Sequence, residues 1–166
     1  PVVVLLPHQD DEMFMAGTLH RYVKMGRPVY ALIVTDGAGS VVRKILNGRN
    51  KPQREGYEPL TKQTFSAARN REVALSLQAL GVPATHIIFA NTGGLAGSVE
   101  PRYRDGHLTK IEAAQALASL FDDLGDGTYL TIGSRRGEIY HKNPDHLAIE
   151  AALREFKDIS EKVFFS

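Results

Sequence analysis

Apolar and polar positions along the chain fall into two kinds of segment that alternate. Val2–Leu6 is a continuous apolar run, rich in β-branched residues and closed by Pro7. That is the pattern of a strand buried on both faces in the middle of a parallel sheet. Over residues 11–25 the apolar side chains Met13, Phe14, Leu19, Tyr22 and Val23 recur at helical spacing, and Gly26 and Pro28 mark where the helix stops. Residues 29–34 repeat the strand pattern and are closed by Thr35-Asp36-Gly37. Two strands joined by a helix of this length lie parallel. The alternation continues with a helix over 66–80, a strand over 86–89, a helix over Lys110–Leu124 and a strand over 129–132. Asn143-Pro144 opens a last helix running to about 156, and 162–165 supply a final strand. This order predicts a doubly wound, Rossmann-like three-layer α/β sandwich around a mostly parallel sheet of about five strands. Neither a repeat nor a linker interrupts it, so residues 1–166 read as one domain.

Residues 38–64 are the exception. They show no clear periodicity, contain several Gly, Pro and Asn, and carry Arg43, Lys44, Arg49, Lys51, Arg54 and Lys62. The stretch reads as an irregular basic loop, either simply solvated or serving as a lid over a substrate. The remaining balance is ordinary: 43% hydrophobic and 23% charged residues suit a soluble globular chain. With 20 basic against 19 acidic residues the formal charge is +1, which argues against nucleic acid or an anionic membrane as the main partner. No apolar run approaches the ~18 residues needed to span a bilayer. No basic segment precedes the first strand, as a signal peptide would require. The absence of cysteine rules out disulfides and thiolate metal ligands and fits a cytoplasmic location.

Open parallel sheets bind ligands outside the carboxyl ends of their strands. Polar clusters fall at three such ends: His8-Gln9-Asp10-Asp11-Glu12 after the first strand, Thr35-Asp36-Gly37 after the second, and residues 135–146 after the fourth. The first strand is the most apolar and is therefore expected at the centre, where its loop lies beside those of its neighbours. Two histidine-bearing segments can then meet in one pocket. His8 and Asp11, three apart across a strand-to-helix turn, can reach one ion, with Asp10 between them directed elsewhere. A His and carboxylate set without Cys suits zinc or another borderline divalent ion. A plainer reading of the same acids is that Asp10, Asp11 and Glu12 open a helix whose dipole favours them. Taken alone, this segment supports both.

PHQDDE after an apolar strand resembles the A-H-P-D-D-E signature of the LmbE-like (PIG-L) N-acetylglucosaminyl deacetylase family. Thr35-Asp36-Gly37 is similar to that family's T-D-G after its second strand. Arg69-Asn70-Arg71-Glu72, followed by Ala74 and Leu80-Gly81-Val82, resembles its R-x-x-E helix ending in L-G-V. Asn143-Pro144-Asp145-His146 resembles its second motif, H-P-D-H. The resemblance covers most of the chain, in the right order. It implies a zinc ion held by His8, Asp11 and His146, with Asp10 as the general base for a water that attacks an amide. Glu12 is left as a structural acid at the helix start. The implied partner is a small N-acylated, sugar-like substrate.

Three positions depart from the family pattern. Gln9 stands in place of the proline of the first motif. Asn143 stands where the second motif begins with His. Asn before Pro is a good helix N-cap, and its amide can donate to an oxyanion but delivers no proton at neutral pH. His141 and Tyr140, just upstream, are the candidates to take over that role, unless nothing does. Over 91–97, where family members often present a substrate-binding acid, the nearest groups are Asn91 and Thr92. Asp36 reads as a substrate contact or a turn former, and Arg69 as a substrate contact or the helix partner of Glu72. The expected function is a zinc-dependent hydrolase of an N-acyl amino sugar or glycosylated small molecule. The alternative is a member of the same fold that binds a metal or ligand without turnover.

Overall fold

A computed structural model of the chain describes residues 1–48, 56, 58–92, 103–133 and 143–165. Five strands, β1 (Val2–Leu6), β2 (Val29–Ile33), β3 (Ile87–Phe89), β4 (Thr128–Ile132) and β5 (Glu161–Phe165), form one sheet in the order β3-β2-β1-β4-β5. Every adjacent pair is parallel, a stricter outcome than the mostly parallel sheet expected. The helices are α1 (Ala16–Lys24), α2 (Val41–Leu46), α3 (Lys62–Ala79), α4 (Lys110–Leu124) and α5 (Pro144–Glu155). None among the described residues is long and apolar enough to cross a membrane.

β1 occupies the centre, with Leu6 opposite Ile33 of β2 and Leu5 opposite Thr131 of β4. All five of its side chains are at most 2% exposed. The pleat alternates them between two layers. Val3 and Leu5 pack with α4 and α5, while Val2, Val4 and Leu6 pack with α1 and α3. The chain winds outward from β1 through β2 to β3, then returns to the other side of β1 for β4 and β5. The reversal lies between β1 and β4, and the crevice beyond their carboxyl ends is where such sheets take ligands.

Local chemistry sets the helix ends. α4 starts in a capping box, in which Thr109 accepts from the Glu112 amide and the Glu112 carboxylate accepts from the Thr109 amide. It stops at Gly125, where φ is +71°. α3 begins four residues earlier than the apolar pattern indicates, because Thr61 caps it. The helix expected over 11–25 opens as a 3-10 turn, Asp11–Met15, before α1. That tighter winding turns Asp11, Glu12 and Met15 inward and leaves Met13 and Phe14 exposed, contrary to their expected inward face. The stretch expected to be irregular over 38–64 contains α2, capped by Ser40.

Leu77 of α3 is fully buried against the sheet, whereas Leu75, two residues away, is 61% exposed. Leu77→Ala is expected to cost about 3 kcal/mol, and Leu75→Ala less than about 0.5 kcal/mol. Urea midpoints at unchanged m-value measure both, and equal losses would contradict this packing.

Candidate active site

The end of β1 is tied to the end of β2. Thr35 donates to the Pro7 carbonyl twice, from its amide at 3.1 Å and from its hydroxyl at 2.7 Å. Beyond Pro7 the chain turns sharply, and the Asp11 carboxylate reaches back to accept the His8 amide at 2.7 Å. On the other side of the switch point, Asn143 caps α5 by accepting the Asp145 amide at 2.9 Å, with Pro144 in the first turn. Asp145 and His146 therefore sit in the first turn of a helix, where the dipole favours an anion.

The two loops converge. His8, Asp11 and His146 each offer a ligand atom, and these atoms lie within 4.8 Å of one another. Asp11 Oδ2 is the shared centre, 3.3 Å from His8 Nδ1 and 3.5 Å from His146 Nε2. The two imidazole rings are 5.1 Å apart, and all three residues are buried. The expected ligand residues are thus brought together by loops distant in sequence. Two imidazoles and one carboxylate are a donor set that fits zinc with positions left open.

Two further carboxylates, assigned no role from the sequence, complete the surroundings of His8. Its Nε2 is 3.0 Å from Asp145 Oδ2 and 3.3 Å from Asp105 Oδ1. Asp145 is fully buried and also accepts the Gly106 amide at 2.7 Å and the Leu108 amide at 2.9 Å. His8, Asp105 and Asp145 form a second potential ligand group, but these backbone bonds already occupy both Asp145 oxygens. Burial alone would push the His8 imidazole down. The carboxylates of Asp105, Asp11 and Asp145 override it and raise its pKa to about 11. Burial pushes Asp105 up, yet His8, the Gly39 amide and Arg69 hold it below the ordinary carboxylate range. Glu12, the expected structural acid, is buried beside Ser76. Desolvation first, with Asp10 and Asp11 adding to it, pushes its carboxyl above the ordinary value.

The remaining expected residues take definite positions. Asp10 is exposed and outside the ligand group, with its Oδ1 only 2.6 Å from Arg69 Nη2. Arg69 is itself nearly buried, and its ion pair is with Asp10 rather than with Glu72. It also donates to the Gly37 carbonyl at 3.4 Å. Asp36 Oδ1 accepts the amides of Ala38 at 3.0 Å and Asp105 at 3.1 Å, holding in place the loop that presents Asp105 to His8. Gln9, where the family has proline, donates to the Thr35 carbonyl at 3.1 Å and to Asn70 Oδ1 at 2.8 Å. Asn70 donates onward to Asn91 at 2.9 Å, and Asn91 returns to the Thr35 carbonyl at 2.8 Å. A pocket of about 590 Å³ opens beside this relay, lined by Asp36, Ser66, Asn70, Asn91 and Thr92 among others. Tyr140 and His141 lie outside the described residues. Asp145 could have been found from its place in the second motif. Asp105 has no signal in the sequence, because only the fold brings its loop to His8.

Two predictions follow the geometry. Gly37 has φ +62°, and a Cβ there would lie 2.1 Å from Gln9 Oε1 and 2.7 Å from Arg69 Nη1. Gly37→Ala is therefore expected to lower stability by at least about 1 kcal/mol. Adding Gln9→Ala should recover part of the loss, and strict additivity in a double-mutant cycle would refute the contact. The second concerns pH in the metal-free protein. Asp105 is depressed, so its stabilisation is full above the ordinary 3.8 and is lost as pH falls below it. His8 is raised, so its share is full below the ordinary 6.5 and is lost as pH climbs through about 11. Urea midpoints across roughly pH 3–11 should fall at both ends, and Asp105→Asn should flatten the acid limb.

Residues 3–157 match the PIG-L family, described as GlcNAc-PI de-N-acetylase. No curated protein matches the chain in sequence. Among solved structures, the chain is similar to N,N'-diacetylchitobiose deacetylase from Pyrococcus horikoshii, with TM-score 0.61 and 22% identity over 92% of this chain and 47% of that one. It is similar to a triple mutant of a deacetylase of the teicoplanin biosynthetic pathway, with TM-score 0.60 and 17% identity over 92% of this chain and 57% of that one. It is also similar to the conserved protein TT1542 from Thermus thermophilus, with TM-score 0.57 and 19% identity over 99% of this chain and 64% of that one. At these identities the likenesses show the fold, and the chain spans under two thirds of each of these proteins. The match over residues 3–157, on a wholly parallel sheet of this order, establishes that the chain belongs to the PIG-L family.

Proposed function

We propose that the chain is a zinc-dependent N-deacetylase that hydrolyses a linear amide on an N-acyl amino sugar or glycosylated small molecule. The observation that carries this reading is the convergence of His8, Asp11 and His146 at the switch point of a PIG-L family chain. Two proteins of similar fold are deacetylases by name, one of them a diacetylchitobiose deacetylase. A zinc ion held by the three residues would lower the pKa of a water and polarise the amide carbonyl.

The chain's own residues supply the rest. His8 binds through Nδ1 while its Nε2–H stays on Asp145, which fixes the ring. Asp10 takes the proton of the attacking water, and Arg69 holds its carboxylate until substrate arrives. The Oδ1 of Asn143 is committed to the cap, and its NH₂ donates to the oxyanion. His141 returns a proton to the leaving amine. The polar pocket beside Asp36, Asn70 and Asn91 takes the hydroxyl-bearing half of the substrate, and Arg69 contacts it from the neighbouring face of α3. The cysteine-free sequence supports a cytoplasmic setting. The capping role of Asn143 favours the second reading, a metal- or ligand-binding member of the family without turnover.

Elemental analysis is expected to find one zinc per chain, and His146→Ala should lose both metal and activity. Asp10→Asn should keep the metal and lose about 10²-fold or more in kcat/KM on an N-acetylated sugar. Turnover surviving in Asp10→Asn would remove Asp10 as the base, and turnover absent from a zinc-loaded wild type would favour the second reading. Because His8 titrates near 11, zinc binding at neutral pH should release about one proton. Calorimetry in buffers of different ionisation enthalpy measures this, and zero release would show that His8 is neutral before the metal binds.

A further inference from the structure

We propose that the groove between α2 and the first half of α3 is an acyl-chain subsite, so that the amide hydrolysed carries an extended apolar acyl group rather than a bare acetyl. This rests on the amide-hydrolase reading above and replaces the acetyl group of that reading with a longer acyl chain. The groove has a volume of about 400 Å³, with Val42, Leu46, Leu60 and Phe65 as its main apolar lining and Gln9, Asp10, Arg69 and Glu72 as its polar groups. That is within the size of pockets that hold small organic ligands, which are mostly apolar with a few placed polar groups.

Its outer wall is built to stay. A helix of six residues has little stability of its own, and no residue of α2 is buried. Side chains clamp it instead. Asn47 donates to the Leu60 carbonyl at 2.9 Å and accepts the Leu60 amide at 2.8 Å. Arg43 donates to the Leu60 carbonyl at 3.3 Å and to the Ala38 carbonyl at 3.1 Å. Of the four half-exposed apolar residues of α2, Val42 and Leu46 line the groove and Val41 and Ile45 do not.

The position relative to the base selects the occupant. α3 has a polar pocket on one face and this apolar groove on the adjacent one, and no lining residue is common to the two. The trigonal carbonyl carbon of an amide directs its amine and acyl substituents along two diverging bonds. With the hydroxyl-bearing amine half in the polar pocket, the acyl half runs past Asp10 into the groove. Hydrolysis breaks the C–N bond, places the oxygen of water on the acyl carbon and its proton on the amine, and releases a fatty acid and a free amino sugar.

Binding and turnover of N-acetyl-, N-butanoyl-, N-hexanoyl- and N-octanoylglucosamine test the proposal on the zinc-loaded protein. Calorimetric affinity and kcat/KM should each rise by about tenfold or more from acetyl to octanoyl. Leu46→Asp and Val42→Asp change half-exposed side chains and should cancel that gain with the melting temperature retained. Affinities that are flat or fall with chain length overturn the subsite, as does a gain that survives in both variants. Chain-length-dependent binding without hydrolysis of any member would support the subsite while overturning the hydrolase reading. Should both variants fail to fold, the wild-type affinity series decides alone.

Discussion

The exclusion of β1 from water on both faces is the constraint on which the rest of the molecule depends. A strand of five apolar residues with no polar side can only lie between two other strands and between two helical layers. Once it is central, the chain must reverse direction beside it to place β4 on its free edge. The reversal puts the turn after β1 next to the start of α5, and these two segments carry His8, Asp11 and His146. The convergence of the three residues is thus a consequence of burying Val2–Leu6, not of any attraction among them.

Attraction nevertheless shapes the site once it is assembled. Asp11, Asp105 and Asp145 surround one imidazole in a region with little solvent, where like charges repel strongly and desolvation is costly. Backbone amides offset part of that cost, two at Asp145 and one at Asp11. A protonated His8 offsets the rest, which is why its pKa stands so far above the ordinary value. A divalent cation would neutralise the same carboxylates and displace a proton from His8, so metal and proton compete for one set of negative charges.

α3 joins this centre to the surfaces around it. Asn70 links Gln9 to Asn91, and Arg69, one residue earlier, holds Asp10. Gln9 gives the loop through hydrogen bonds the restraint that a proline ring gives by covalent geometry, at the expense of needing Gly37 bare beside it. The loop that presents Asp10 is therefore coupled to α3, and α3 also divides the polar pocket from the apolar groove.

Much of this was legible in the sequence. The apolar run of β1, the helix of residues 110–124 and the Asn143-Pro144 helix start depend on local pattern and capping, which act over a few residues and can be read without a fold. His8 and Asp11 could be paired from spacing, and His146 joined them through the family motif. The 3-10 entry that exposes Met13 and Phe14 could not be read, because its pattern matches an α-helix. Nor could α2, whose few residues hold through Asn47 and Arg43 rather than through periodicity. Asp105 beside His8 and Arg69 on Asp10 are contacts between segments far apart in the chain. Sequence determined which residues offer imidazole and carboxylate groups and which segments they end. Tertiary structure alone decided which of them meet, because packing both faces of one strand brings distant loops to a common edge.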